Sequence, residues 1–371
     1  MANTHLSKDT MANVHMGIAS LNPYQPGKPI DELARELGLT DIVKLASNEN
    51  PRGPGELVRD AIQRELGTLS RYPDGNGFAL KQALVNSLNV EAGQITLGNG
   101  SNDVLDLIAR VVVEPGYEAI VAQHSFVVYR LAVTCAGGKL VTVPALNYGT
   151  DLDGFAAAIS ERTRVIFIAN PNNPTGTCVS HDELASFLQK VPATVWVVLD
   201  EAYFEYAEQP GYPNALALLA QYPNLIVTRT FSKVHGLASL RVGYGLSSVE
   251  FADLLNRARQ PFNVNSVGLA AATAALSDQE FVSESVSLNQ QGMHQIVNGL
   301  SDMGLQHIPS RGNFVCFDCG RDGPEVFDAM LHRGVIVRPV AEYGLPRHLR
   351  VTVGLTTQND RFLTALADVL A

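Results

Sequence analysis

Residues 225–245 read LIVTRTFSKVHGLASLRVGYG. The stretch opens on the β-branched run LIVT, passes through small polar residues, and sets Lys233 among apolar and small neighbours, with Arg241 eight residues on. An apolar run without polar alternation is the signature of a strand covered on both faces. A lysine held where water is scarce loses part of its preference for the charged form. Its amine can then attack an aldehyde and form a Schiff base. A solvated loop lysine is the plain alternative, and the rest of the chain decides between the two.

Four more runs of the same kind precede this one: QITL (94–97), AIVA (119–122), VIFIA (165–169) and VWVVL (195–199). Helical patterns lie between them. Asn102–Val112 carries apolar residues at helical spacing, and Ser180 with Glu183 forms a capping box. The alternation predicts an α/β fold, with a mostly parallel, seven-stranded-type sheet in a large domain and helices on both faces. After about residue 255 the pattern changes to helices followed by the short runs NFVCF (313–317), VIVR (335–338) and LRVTVG (349–354). That reads as a smaller α+β domain. The expected division is an N-terminal arm over 1–29, a large domain over 30–255 and a small domain over 256–371. Residues 1–20 read as polar and mobile, and the three prolines of NPYQPGKP (22–29) as extended.

The composition narrows the class. Of 371 residues, 46% are hydrophobic and 17% charged, so a sizeable core is available and wide disorder is excluded. A formal net charge of −10 argues against nucleic acid or an anionic membrane as partner. Any anionic ligand must be drawn by local arginines or helix N-termini. Four scattered cysteines make no disulfide framework, and the CxxC of Cys316 and Cys319 has no second pair to build a metal site, so no metal is expected. No signal-like or membrane-spanning stretch is present, and the reading is cytoplasmic.

Each unusual polar cluster follows one of the apolar runs: GNGSND after QITL, HSF after AIVA, NPNNPTG after VIFIA, DEAY after VWVVL, TRTFSK at the end of LIVT. Ligands of open α/β sheets bind at the carboxyl ends of the strands, so five clusters converge on one place. Taken singly, each has an ordinary explanation. Gly98, Gly100 and Ser101 form a common strand-to-helix turn, Asp200 a helix cap, Tyr203 and Phe126 core aromatics, NPNNPTG punctuation. Together they offer an amine, an acid for a ring nitrogen, a phenol and an amide for a ring oxygen, a flat face, and backbone amides for a phosphate. Pyridoxal phosphate meets that description.

The sequence here resembles the fold-type I, class-II aminotransferases that use pyridoxal phosphate, and within them the histidinol-phosphate aminotransferase group. The resemblance runs through LNPYQPG, LASNENPRGP, RYPDGNG, LGNGSNDVL, NPNNPTG, DEAYFEY, the 229–245 stretch, NFVCF and LRVTVG. It implies that Lys233 carries the cofactor and moves the proton, and that Asp200 pairs with the pyridine nitrogen. Asn173 and Tyr203 would bond the ring oxygen and Phe126 would stack on the ring. Gly100, Ser101, Asn102, Thr230, Ser232 and Arg241 look like phosphate contacts. Tyr72 resembles a tyrosine that reaches the partner subunit's cofactor phosphate, which implies a homodimer with shared sites. Arg350 looks like the carboxylate binder, while Arg338 and Tyr24 resemble residues around the substrate side chain or its phosphate. The implied reaction is ping-pong transamination between a small-molecule amino donor, histidinol phosphate, and a 2-oxo acid acceptor, in histidine biosynthesis. An aromatic amino-acid aminotransferase and a threonine-phosphate decarboxylase remain the alternatives. The family usually has tyrosine where this chain has Phe126, a departure that bears on substrate preference.

Overall fold

The computed structural model describes residues 14–23 and 27–371. Thirteen strands follow in chain order: β1 (Val43–Lys44), β2 (Ile95–Gly98), β3 (Glu118–Ala122), β4 (Lys139–Val143), β5 (Thr163–Ala169), β6 (Trp196–Asp200), β7 (Leu225–Thr230), β8 (Gly243–Leu246), β9 (His307–Ile308), β10 (Phe314–Asp318), β11 (Val335–Ile336), β12 (Arg338–Pro339) and β13 (His348–Thr352). Seven of them form the large sheet in the order β2-β8-β7-β6-β5-β3-β4. Only β8 runs against the other six.

The apolar runs explain this sheet. Ile166, Ile168, Val197, Leu199, Leu225 and Val227 point into one core with the helices Leu152–Ala158, His181–Leu188 and Ala215–Gln221. Their neighbours Val165, Phe167, Val198 and Ile226 point into a second core with Ser101–Val112, Val127–Cys135 and Val249–Ala258. Side chains of a strand alternate between its faces, so each run feeds both cores. Full burial of one such side chain contributes ~1.5–3 kcal/mol. The helix over His181–Leu188 opens on the expected capping box, with Ser180 and Glu183 each accepting from the other's backbone N–H.

The small unit holds a four-stranded antiparallel sheet, β12-β13-β10-β9. The run VIVR splits between two sheets: Val335 and Ile336 pair with β1, while Arg338 pairs with Arg350 on β13. Cys316 and Cys319 lie in different apolar clusters.

The segment from residue 30 through β1 packs on the C-terminal third of the chain. Leu33 and Ala46 share a cluster with Leu331 and Ile336, and Leu45 joins the core of the small sheet. These side chains find their apolar partners in the C-terminal third of the chain, to which β1 is hydrogen-bonded. Conversely, the helix Ser266–Ser277 packs on Glu56–Glu65 and Phe78–Leu88, with Ala271, Ala272 and Ala275 in the large core. Of the arm, Met16–Ala19 form one helical turn against Val127–Cys135, whereas the sequence reading leaves residues 1–20 without structure. Residues 1–13 and 24–26 lie outside the described part.

Candidate active site

All five strand-end clusters border a single cavity of about 250 Å³ between the carboxyl edge of the large sheet and the small unit. At one end is an anion nest. The helix Ser101–Val112 starts directly after Gly100, whose φ of 81° suits glycine. A side chain at Gly100 would strike the Arg241 guanidinium, and one at Gly243 would strike the Ser101 backbone nitrogen. The two glycines thus let Arg241, β8 and the helix start close on one another. Arg241 Nη1 donates to Ser232 Oγ (3.1 Å), and Thr230 Oγ1 donates to the same oxygen (3.0 Å). Unpaired amides and the dipole at the helix start favour an anion here.

Asp200 ends β6 and is buried. Tyr129 Oη donates to its Oδ2 (2.7 Å) and Thr228 Oγ1 to its Oδ1 (2.9 Å). Burial raises its pKa, while those two hydrogen bonds and the Lys233 charge pull the other way. Each carboxylate oxygen keeps a lone pair for another donor. Next to it, Glu201 forms a buried ion pair with Arg229 (2.7 Å) that ties the ends of β6 and β7 together.

Lys233 Nζ lies 5.5 Å from the centre of the Tyr203 ring and donates to the Ser47 carbonyl (3.2 Å). Loss of solvent, and then the charges of Arg350 and Arg241, bring its pKa down to about 8, with Glu49 and Asp200 opposing. A fair fraction of the amine is therefore neutral near physiological pH. Tyr203 Oη accepts from Asn48 Nδ2 (2.8 Å) and carries a proton of its own to donate. Asn173 Oδ1 accepts from Arg350 Nη1, which turns the amide nitrogen of Asn173 away from that arginine. Arg350 Nη2 donates to the Ala46 carbonyl (2.6 Å), and its Nε is buried without a partner. Arg338 is buried and paired through Nη2 with Glu342. Phe126 forms part of the wall; its ring meets Tyr129 edge-on at 6.2 Å, and Tyr129 stacks on Phe167 at 4.9 Å.

The family model for Aminotransferase class I and II matches residues 40–366. The chain belongs to that family. This aminotransferase is 56% identical to histidinol-phosphate aminotransferase 2 of Pseudomonas fluorescens over 368 residues, 99% of this chain and all of that one. It is also 56% identical to the Pseudomonas aeruginosa protein of the same name, across 98% of this chain and 99% of that one. The crystal structure of histidinol-phosphate aminotransferase from Sinorhizobium meliloti, in complex with pyridoxal-5'-phosphate, is similar at a TM-score of 0.89. It has 33% identity and covers 97% of this chain and 98% of that one. Thermus thermophilus aspartate aminotransferase with maleate shares the fold (TM-score 0.83, 21% identity, 96% of this chain and 99% of that one).

In this aminotransferase Ser101, Asn102, Phe126, Asn173, Asp200, Tyr203, Thr230, Ser232, Lys233, Arg241, Arg338 and Arg350 all border the cavity, and Gly100 sits behind it against Arg241. Tyr72 does not. It is 83% exposed, stacks on Phe262 at 4.8 Å, and lines a separate groove of about 890 Å³ with Leu57 and Leu269. Tyr24 lies outside the described residues. Among the described residues no group of acidic, histidine or cysteine side chains is placed to hold a metal.

Four contributors were not singled out from the sequence. Tyr129 had a signal, since it follows Phe126 by three residues and so shares its helix face. Thr228 had one too, two residues before Thr230 on β7 and therefore on the same face of the strand. Ser47 and Asn48 lie in LASNENPRGP, a stretch that carries the family resemblance, but no local pattern gave their role, because their place depends on β1 pairing with β11 from the far end of the chain.

Proposed function

We propose that the chain is a histidinol-phosphate aminotransferase. It would use pyridoxal phosphate to move the amino group of L-histidinol phosphate to 2-oxoglutarate, giving imidazole acetol phosphate and L-glutamate in histidine biosynthesis. The observation that carries this reading is the order of charges in one cavity: Arg241 and its nest at one end, Lys233 beside Asp200 and Tyr203, Arg338 and Arg350 at the other. The likeness to whole-length relatives of that name supports it.

The residues fit the cofactor. The nest that Gly100 and Gly243 allow to close is lined by Arg241, Ser232 and Thr230, donors that suit its phosphate. Asp200 would hold the ring nitrogen protonated, its orientation fixed by Tyr129 and Thr228. Tyr203 and Asn173 would donate to the ring oxygen. Bound there, pyridoxal phosphate supplies a sink for the electron pair left when the substrate carbon loses its proton. Lys233 would take that proton and return it to the cofactor's carbon on the far side of the amino nitrogen, a task suited to an amine whose pKa is near 8. Arg350, preset by Asn173 and the Ala46 carbonyl, receives the carboxylate of the acceptor. The four cysteines are free, which supports a cytoplasmic setting.

A half-reaction panel tests the donor. Holoenzyme is mixed with histidinol phosphate, phenylalanine and threonine phosphate in turn, and the absorbance of the bound cofactor is followed. Histidinol phosphate is expected to convert the cofactor fastest. Conversion by phenylalanine with none by histidinol phosphate would assign the enzyme to aromatic amino acids, and carbon dioxide released from threonine phosphate would assign a decarboxylase.

The homodimer is part of the same proposal. Leu57, Tyr72 and Phe262 are exposed at or beside an apolar groove, a surface that suits a partner subunit. The chain is expected to sediment at twice its 39.9 kDa. A monomer that keeps full activity at nanomolar concentration would remove Tyr72 from the site.

A further inference from the structure

We propose that Glu342 sets how strongly the site takes a phosphate-bearing donor, by competing with that phosphate for Arg338. The inference rests on the donor assigned above. Arg338 and Arg350 are register partners across β12 and β13, so the two side chains rise side by side from one face of the small sheet. Like charges directly opposite each other on a sheet are unfavourable. Arg350 has its own neutral partners, the Asn173 side chain and the Ala46 carbonyl. Arg338 is 8% exposed and hydrogen-bonded through Nη2 to Glu342 Oε1, four residues on. A carboxylate on a guanidinium takes the same donor fork that a phosphate oxygen would use.

Glu342 is built to let go. Its side chain is 41% exposed, so solvent already shares it. It also lines a smaller cavity of about 140 Å³ with Arg130, which gives a displaced carboxylate room and a second cation to face. Phe126 and Tyr343 wall both this cavity and the main one, so the exchange takes place beside the ring-stacking position. With Glu342 in place, the charge of Arg338 is offset and the outer end of the cavity attracts a phosphate less strongly. With Glu342 turned away, the Nη2 donor that it held is released to an anion.

The test uses holoenzyme, in which the cofactor already fills the inner nest, and compares wild type, Glu342→Gln and Arg338→Gln. Inorganic phosphate is titrated as an inhibitor, with histidinol phosphate and phenylalanine as donors, at low and high ionic strength. Glu342→Gln is expected to lower the Ki of inorganic phosphate about fivefold, the equivalent of ~1 kcal/mol for a partly exposed ion pair. Arg338→Gln should raise it. The gain for histidinol phosphate over phenylalanine should appear in KM rather than kcat and shrink with salt. An unchanged phosphate Ki in Glu342→Gln, a wild-type Ki in Arg338→Gln, or an effect confined to kcat would each overturn the inference. Failure of all three proteins to act on histidinol phosphate while acting on phenylalanine would refute the donor assignment instead, and the phosphate Ki series would still decide the role of Glu342.

Discussion

Lys233→Ala is expected to lower kcat by roughly 10⁴-fold, the upper range for loss of a positioned general base, while the protein stays folded. The amine has no nearby substitute. Arg241 and Arg350 cannot give up a proton in this pH range, and Tyr203 offers a phenol. Steady-state transamination measures the loss, and a small primary amine in the buffer should restore part of it by supplying the missing base. A variant within tenfold of wild type would remove Lys233 from its assigned role. The same substitution has a signature in stability. In the cofactor-free protein the folded-state pKa of Lys233, about 8, lies below the ordinary 10.5. The folded state therefore binds fewer protons than the unfolded state between those values. Stability rises with pH through that window, because the cost of the buried charge is relieved. Thermal melts of the cofactor-free Lys233→Ala protein should lose this rise, and at neutral pH should lie above those of wild type.

Asp200→Asn is the second large effect. An amide keeps the shape but cannot hold a proton on the ring nitrogen, and kcat should fall by roughly 10²–10³, as for loss of one preorganised electrostatic partner. Stability should move the other way. Burial raises the Asp200 pKa above its unfolded value, so its contribution is fully present at low pH and is lost as pH rises through the folded value. Above that value the cofactor-free protein holds a carboxylate that burial disfavours. Asparagine lacks that charge and can still accept from Tyr129 or Thr228. Higher melting temperatures with collapsed turnover are expected, a trade of stability for function. Lower melting temperature with normal turnover would show that the carboxylate serves the fold alone.

The legible parts of this molecule are those governed by local chemistry. Runs such as VIFIA and VWVVL have no polar face, and they became central strands of the seven-stranded sheet. The clusters after them had to lie at one edge once those strands were parallel. Two strands of the large sheet escaped notice for opposite reasons. β4 is an edge strand whose Lys139 and Thr142 face water, so its run looks polar. β8 is GYGL, where glycine replaces the usual β-branched residues because Gly243 and Gly245 crowd against Ser101 and Val104. The grouping of residues 30–46 with the small unit was hidden for a third reason. Val43 and Lys44 meet Val335 and Ile336 by backbone pairing, and no side-chain pattern announces a partner so far away.

That pairing has a consequence for synthesis. The segment after β1 supplies the Ala46 carbonyl to Arg350, the Ser47 carbonyl to Lys233, and Asn48 to both Tyr203 and Thr352. A nascent chain can close the large sheet once β8 has left the ribosome. Lys233, however, gains its full surroundings only when β11 and β13 have emerged and an early segment returns to join them. Such long-range closure is slow to form, and it leaves Val43 and Leu45 uncovered for most of translation. A strand made near the end of the chain is thus the one that completes the first.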